Sequence, residues 1–528
     1  MFVTPLISAF TVCALGALAP VYEEGAQTPR NMTKAELRFV RDNPLVALRG
    51  VTSPPTGPVH CVAEYEPMEA ILLAWEGGSS WENILADMAA SITTIGDADV
   101  IIAVDSTSEQ SGALSKINAR GGDTSRVRFL VRSTDTIWIR DYGPRYIYEG
   151  ECRAIVDHTY NRPRPNDNAL NDGMADFMNH KIYELPLVHG GGNFHLNASD
   201  LGWATELIEN ENSDLSAEQI RDYWQEFQNL DVTLTDPFPT SVDSTQHIDM
   251  WMCWASDTTC IISDWPYNAG STQEVICDTV AQSLQLAGYT VIRIPARSVS
   301  WTHYTYANAV ICNDLVLVPS YTNSSVTQHN AEAIAGWKAA CPDKTIVPIP
   351  CQNIVTSAGV MHCICMHIPE HKGGESPTMY LQTPNGGATY EAGAYVPIAW
   401  LSDDDEDVVS VAIQLSTDDG SSWTTVVENT DDDGFYVWSV PDVFTNHGRI
   451  QIVGVDVDGN HGSDSSNNSF SINGSSVPGD ANGDGLVNVS DILVIVDSWG
   501  ICIGICPGDL NNDGFVNVID LLIVIDSW

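Results

Sequence analysis

At 528 residues the chain is too long for one ordinary hydrophobic core, and several domains are expected. Apolar residues make up 44% and aromatics 8%, which excludes an intrinsically disordered chain. The 23 basic residues face 69 acidic ones, a formal net charge of −46 that argues against nucleic acid as a partner. The excess suits solubility, a salty habitat, bound calcium or cationic ligands.

Residues 1–19 hold an apolar run from Phe2 to about Ala19, ending Ala17-Leu18-Ala19. It is too short for a membrane span and reads as a signal peptide, which places the protein outside the cell or on its surface. No basic residue precedes the run, and Pro20 follows the cut. Nothing else approaches the ~20 apolar residues of a transmembrane helix. Residues 20–59 are polar and proline-bearing, a leader expected to wrap the core. Of the 13 cysteines, Cys13 leaves with the signal, and Cys502 is expected to pair with Cys506 across a short loop. Cys253, Cys260, Cys277 and Cys312 read equally well as buried free thiols.

Residues 60–372 alternate buried-strand runs with helical stretches. Ala70–Ala74, Val100–Val104 and Leu315–Val318 are strand runs, and Gln273–Ala287 and His329–Ala340 are helix-like. That alternation predicts an α/β fold without separating an open sheet from a barrel or a propeller.

Five segments here carry chemistry-bearing residues. Trp138-Ile-Arg140-Asp141-Tyr142-Gly143-Pro144 by itself reads as a surface turn. His189-Gly190-Gly191-Gly192-Asn193-Phe194 has three glycines, but no Lys-Ser/Thr follows, which discounts a phosphate loop. His247 and Asp249 stand at i and i+2, on one face if the segment is a strand. Alone, that pair suits a metal-ligand fragment equally, although no third ligand motif supports it. Asn308, in Tyr304-Thr-Tyr306-Ala-Asn308, precedes the buried strand Ala309–Cys312. Ser357 to Pro369 closes the region with His362-Cys363, and Cys365 stands nearby.

Together, and in this order, these segments resemble those of bacterial peptidylarginine and agmatine deiminases, cysteine hydrolases of the guanidine-modifying superfamily. The resemblance covers roughly residues 60–370. It implies a five-bladed α/β propeller around a central site, which the strand pattern alone does not give. It also implies that Cys363 is the nucleophile, His247 the acid–base, and Asp141 and Asp249 the guanidinium clamps. Asn308 is then a polar positioner, and Trp138 lines the slot. Those residue types suit the chemistry, because a delocalised cation needs carboxylates to hold it, a strong nucleophile for its central carbon, and a proton donor for departing ammonia. No cofactor is required for catalysis.

Tyr160-Asn161-Arg162-Pro163-Arg164-Pro165-Asn166-Asp167-Asn168 resembles the segment of the secreted peptidylarginine deiminases whose two arginines grip a substrate's C-terminal carboxylate. Arg162 and Arg164 on alternate residues, stiffened by proline, would make such a fork. The implied reaction converts a peptide's arginine, C-terminal by this reading, to citrulline and ammonia through a covalent thiouronium. Agmatine has no carboxylate, so an agmatine deiminase is the alternative. A structural ion pair is the plain reading of the two arginines. A calcium-dependent binding protein on an inactive enzyme scaffold is the rival of another class, and a cysteine protease is a third.

Residues 377–474 change to short alternating strands and polar turns, resembling an immunoglobulin-like β-sandwich. Residues 478–528 hold a repeat: Asp480, Asn482, Asp484, Asn488 and Asp491, then Asp509, Asn511, Asp513, Asn517 and Asp520. Oxygen side chains fall at loop positions 1, 3, 5, 9 and 12, the main chain of Leu486 and Phe515 adds position 7, and glycine sits at 6. This calcium-loop spacing, with Asp at position 12 and an apolar helix after each loop, resembles small helical dockerin modules. It implies Ca2+ in the repeats and a cohesin-type scaffold protein as partner.

Overall fold

A computed structural model describes residues 19–528 except 24, 48, 49, 51, 475, 476, 503–505 and 512. The expected signal segment therefore lies, but for Ala19, outside the described residues. Between residues 59 and 369 the fold is mixed α/β, and one motif recurs. An antiparallel strand pair is followed by a helix and a third strand parallel to the second. Met252–Ser256, Thr259–Asp264, the helix Thr272–Leu286 and Thr290–Pro295 form one copy. Val310–Cys312, Leu315–Ser320, the helix Asn330–Ala340 and Thr345–Pro350 form another. The helix is needed because two parallel strands cannot be joined by a tight turn.

The same pattern is built from His195–Asn197, Leu201–Thr205 and Asp231–Thr235. It recurs in Arg145–Glu149, Cys152–Tyr160 and Lys181–His189. In the remaining copy the first strand comes last in sequence: Met366–Pro369 pairs antiparallel with Met68–Ala74, which is parallel to Asp99–Val104. Cys363 stands just ahead of that strand, so the pairing fixes the end of the catalytic region against its beginning.

Local sequence accounts for the helix ends. Ser216 and Gln219 form a reciprocal capping box at the start of Ala217–Gln228, and Asn229 closes it in the left-handed region. In the leader, Thr33 and Glu36 make the same box for the helix Lys34–Asp42. The main core runs through the catalytic region, with Trp81, Trp138, Trp251, Trp254, Trp265 and Trp337 all fully buried.

Residues 378–473 form two sheets over a shared core. Ile398, Trp400 and Leu381 of one sheet pack against Val411, Ile413, Ile450 and Ile452 of the other. Inward and outward residues alternate along Thr445–Asp456, as a half-buried strand requires. This unit is fastened to the catalytic region by a buried ion cluster. Asp403 accepts from Arg153 Nε at Oδ2, 2.9 Å, and from Nη2 at Oδ1, 3.0 Å, and His180 Nε2 lies 3.1 Å from the same Oδ1.

In the C-terminal repeats the helices Val489–Asp497 and Val518–Ser527 follow the two loops, and Cys502–Cys506 is a disulfide. Among the described residues, ten further cysteines are free and buried, Cys253, Cys260, Cys277 and Cys312 included. No helix among those residues is long and apolar enough to cross a membrane.

Candidate active site

The five sequence segments converge on one buried point. Asp141 sits on the short helix Ile139–Tyr142, which is wholly buried and is not the surface turn its sequence suggests. Asp249 lies on a 3₁₀ turn, Ile248–Met250, that His247 precedes in extended conformation. The segment His247-x-Asp249 is therefore not a strand. The ladder begins only at Met252, because Gln246 takes a positive φ of 61° and turns the chain inward. Asn308 and Cys363 complete the ring. Asn308 Nδ2 donates to the Asp249 carbonyl at 3.1 Å and to Cys363 Sγ at 3.2 Å.

At the centre of this ring lies the chain's own Arg30. Its Nε and Nη2 donate to the two oxygens of Asp141 at 2.9 and 2.7 Å. Nη1 and Nη2 donate to the two oxygens of Asp249 at 3.1 and 3.0 Å. Both carboxylates are thus bidentate on one planar cation, the geometry that gives guanidinium recognition its strength. Nη1 is 2.7 Å from Cys363 Sγ, and Nη2 is 2.8 Å from His247 Nδ1. Nε2 of His247 is buried with no hydrogen-bond partner among the described residues. Arg30, Asp141, His247, Asp249 and Cys363 have no exposed surface.

The glycine-rich segment makes room for the cation. A Cβ at Gly192 would lie 1.9 Å from Arg30 Nη2, 2.7 Å from Asp141 Oδ1 and 2.9 Å from Asp249 Oδ2. Glycine is required there by the close approach of the guanidinium. The Gly192 amide itself donates to Asp141 Oδ1 at 3.2 Å.

Electrostatics follow from burial and from the cation. Burial alone would raise both carboxyls, but Arg30, with His247 beside Asp141 and with His362 and His247 beside Asp249, holds them well below the usual carboxylate range. Burial pushes the Cys363 thiol well up. Arg30 pulls it down, and the charges of Asp249 and Asp141 push it up again.

Several site residues had no role assigned from sequence. His362, beside Cys363 in the His-Cys pair, places Nδ1 3.1 Å from Asp249 Oδ2 and Nε2 2.9 Å from Glu64. Glu64 also accepts from Arg140 Nη1 at 2.7 Å, and that buried cation holds its carboxyl down against the cost of burial. His195 stacks on His362 with ring centroids 4.9 Å apart, and burial lowers its pKa to about 3. Glu64, His195 and His362 are near enough to share a metal ion, but Glu64 and His362 are already engaged with Arg140 and Asp249.

Arg162 and Arg164 do not form a single fork. Arg162 Nε donates to the Arg30 main-chain carbonyl at 3.1 Å. Arg164 donates from Nη2 to the Pro29 carbonyl at 2.8 Å and from Nε to Glu36 at 2.7 Å. In the structure the two guanidiniums meet successive main-chain carbonyls, those of Arg30 and Pro29. Trp138 Nε1 adds a third contact, to the Thr28 carbonyl at 2.8 Å.

In the C-terminal loops the predicted metal-ligating carboxylates accept main-chain amides. Asp480 takes Gly483 and Gly485, and Asp491 takes Ala481 and Asn488. Asp509 takes Asp513 and Gly514, and Asp520 takes Leu510 and Asn517. Gly485 and Gly514 both sit at positive φ, 81° and 87°.

Known proteins resemble the catalytic region throughout. A profile of the Porphyromonas-type peptidyl-arginine deiminases matches residues 60–369. A putative agmatine deiminase of Marinomonas sp. is 24% identical over 371 residues, 60% of this chain and 96% of its own. The agmatine deiminase of Ectopseudomonas mendocina is 24% identical over 61% of this chain and 98% of its own. Among solved structures, the putative arginine deiminase from Porphyromonas gingivalis superposes with a TM-score of 0.52 at 20% identity, over 60% of this chain and 99% of its own. The agmatine deiminase of Enterococcus faecalis gives 0.53 at 19%, over 61% and 99%. These structures establish a likeness of fold.

Proposed function

The chain belongs to the Porphyromonas-type peptidyl-arginine deiminase family, and on that premise we propose that it hydrolyses the guanidinium of peptide arginine to citrulline and ammonia. The observation that carries this reading is the seat of Arg30, between Asp141 and Asp249 with Nη1 2.7 Å from Cys363 Sγ. In the proposed reaction, the Cys363 thiolate attacks the central carbon of the clamped cation. His247, beside Nη2, protonates the departing ammonia and then activates water to hydrolyse the thiouronium. Asn308 positions the sulfur, and no cofactor is needed for these steps.

Arginine within a peptide is favoured by the carbonyls of Thr28, Pro29 and Arg30, each received by a side-chain donor. Agmatine has none of these groups. An arginine at a chain end would offer Arg162 a carboxylate where Arg30 offers a carbonyl, and a charged acceptor strengthens such a bond. Agmatine is the second reading, favoured by the names of the curated relatives. The five-bladed propeller belongs to the same proposal, supported by five strand–strand–helix–strand modules closed by Met366–Pro369.

For the rest of the chain we propose an immunoglobulin-like sandwich, Ca2+ in the two C-terminal loops, and export. Docking to a cohesin-type scaffold protein is supported by the exposed apolar residues Leu493 and Val496 on one terminal helix and Leu522 and Ile525 on the other.

The test supplies a peptide ending in arginine, the same peptide amidated, and agmatine to the Arg30→Ala chain, with and without Cys363→Ala. Citrulline from the peptides, lost with Cys363, is the expected result, the free carboxylate being preferred. Turnover of agmatine alone would overturn the substrate assignment.

A further inference from the structure

The leader crosses the site as a bound peptide would. On one side of Arg30, Gln27 Nε2 donates to the Gly77 carbonyl at 3.1 Å. The Arg30 amide donates to the Ser357 carbonyl at 3.0 Å. On the other side, Glu36 accepts from Arg164 and from Tyr22 at 2.7 and 3.0 Å while capping its own helix. With Arg30 and its clamps fully buried, no second guanidinium has room. The seat depends on charge: without the cation, Asp141 and Asp249 would stay buried with only His247 and the Gly192 amide beside the first and His362 beside the second.

We propose that Arg30 is this enzyme's own first substrate, converted in cis by Cys363 to citrulline, and that the lost charge releases the leader and opens the site to other peptides. The proposal rests on the deiminase reading above. In the first step a bond forms between Cys363 Sγ and Arg30 Cζ, the Cζ–Nη2 bond breaks, and ammonia leaves with a proton from His247. Water then adds its oxygen to Cζ and the S–C bond breaks, restoring the thiol. The balance is arginine plus water to citrulline plus ammonium, with no oxidant or reductant.

The experiment uses the full chain as wild type, Cys363→Ala, Arg30→Ala and the double variant. Tandem mass spectrometry is expected to find citrulline at residue 30 of the wild type and arginine there in Cys363→Ala. Mixed with active Arg30→Ala chains, Cys363→Ala should keep its arginine, because its leader is seated in its own site. A tethered competitor has an effective concentration on the order of mM, so Cys363→Ala should bind a labelled arginyl peptide at least about tenfold more weakly than the double variant. A wild type that citrullinates added peptide while residue 30 stays arginine would overturn self-modification and leave the proposed function standing. Equal peptide binding by the two inactive variants would overturn the occlusion, and conversion of Cys363→Ala by its neighbours would overturn the cis assignment. No ureido product at residue 30 or from any added guanidine, in wild type or Arg30→Ala, would overturn both readings together.

Discussion

Arg162 donates from Nε to the main-chain carbonyl oxygen of Arg30 at 3.1 Å, a contact between residues 132 positions apart in sequence. This contact acts on the backbone of a bound arginine and not on its reacting carbon. Arg162→Ala is therefore expected to lower kcat/KM for arginyl peptides by about 10- to 100-fold, the worth of a hydrogen bond from a charged donor. The loss should fall mainly on KM, and turnover of a small guanidine lacking a carbonyl should be unaffected. Steady-state kinetics on both substrates check this.

Gly192 limits what the site accepts. A methyl group there would overlap Arg30 Nη2 at 1.9 Å, and the neighbouring atoms are the two clamping carboxylates, which have no free space to retreat into. Gly192→Ala is expected to reduce kcat/KM by at least about 100-fold, the cost of a misplacement of about 1 Å at a reacting centre. Thermal unfolding of the variant should show the fold retained.

The charge state of Cys363 is tied to what lies between Asp141 and Asp249. Burial pushes the Cys363 thiol up and the two carboxylates add to that push, while the guanidinium of Arg30 and a main-chain hydrogen bond at Val360 oppose them. In Arg30→Ala the opposing charge is gone, so alkylation of Cys363 is expected to rise only above the ordinary thiol value of about 8.5. A bound guanidinium ligand should move that profile to lower pH. Alkylation already complete near neutral pH in the empty site would contradict this electrostatic account.

Arg153 and Asp403 join the catalytic region to the sandwich through a fully buried pair. Burial disfavours the Asp403 charge, and Arg153 with His180 together more than offset it, holding the carboxyl below its ordinary range. A depressed carboxyl contributes stability that is present above its unfolded pKa and is lost as pH falls through the folded value. Breaking the pair with Arg153→Ala should cost about 3–5 kcal/mol. The variant should also lose part of the wild type's acid-side fall in stability. Denaturant unfolding over a pH series measures both.

The segments that meet at the site were legible in the sequence, but the roles expected of Asp141, His247, Asp249 and Cys363 came from the family resemblance: alone, the Asp141 run reads as a surface turn and the His247-x-Asp249 pair equally as a metal-ligand fragment. The buried strands around Ile71, Ile101 and Val316 were legible because a strand covered on both faces is continuously apolar. Arg30 and Glu64 were not legible. Arg30 meets Cys363 across 333 residues and Glu64 meets His362 across 298, and nothing in either residue's local sequence records such a partner. The scarcity of basic residues was the one available signal for Arg30. The spacing of His247 and Asp249 could not decide the conformation of their segment, because a separation of two is shared by strands and tight turns, and here it is a 3₁₀ turn.

The most direct test of the central claim is acid quenching of the Arg30→Ala chain during turnover of a single-arginine peptide, followed by mass mapping of its cysteines. The account predicts a thiouronium adduct on Cys363, absent from Cys365 and from the Cys363→Ala variant. Turnover without an adduct on Cys363, or an adduct on Cys365, would contradict it.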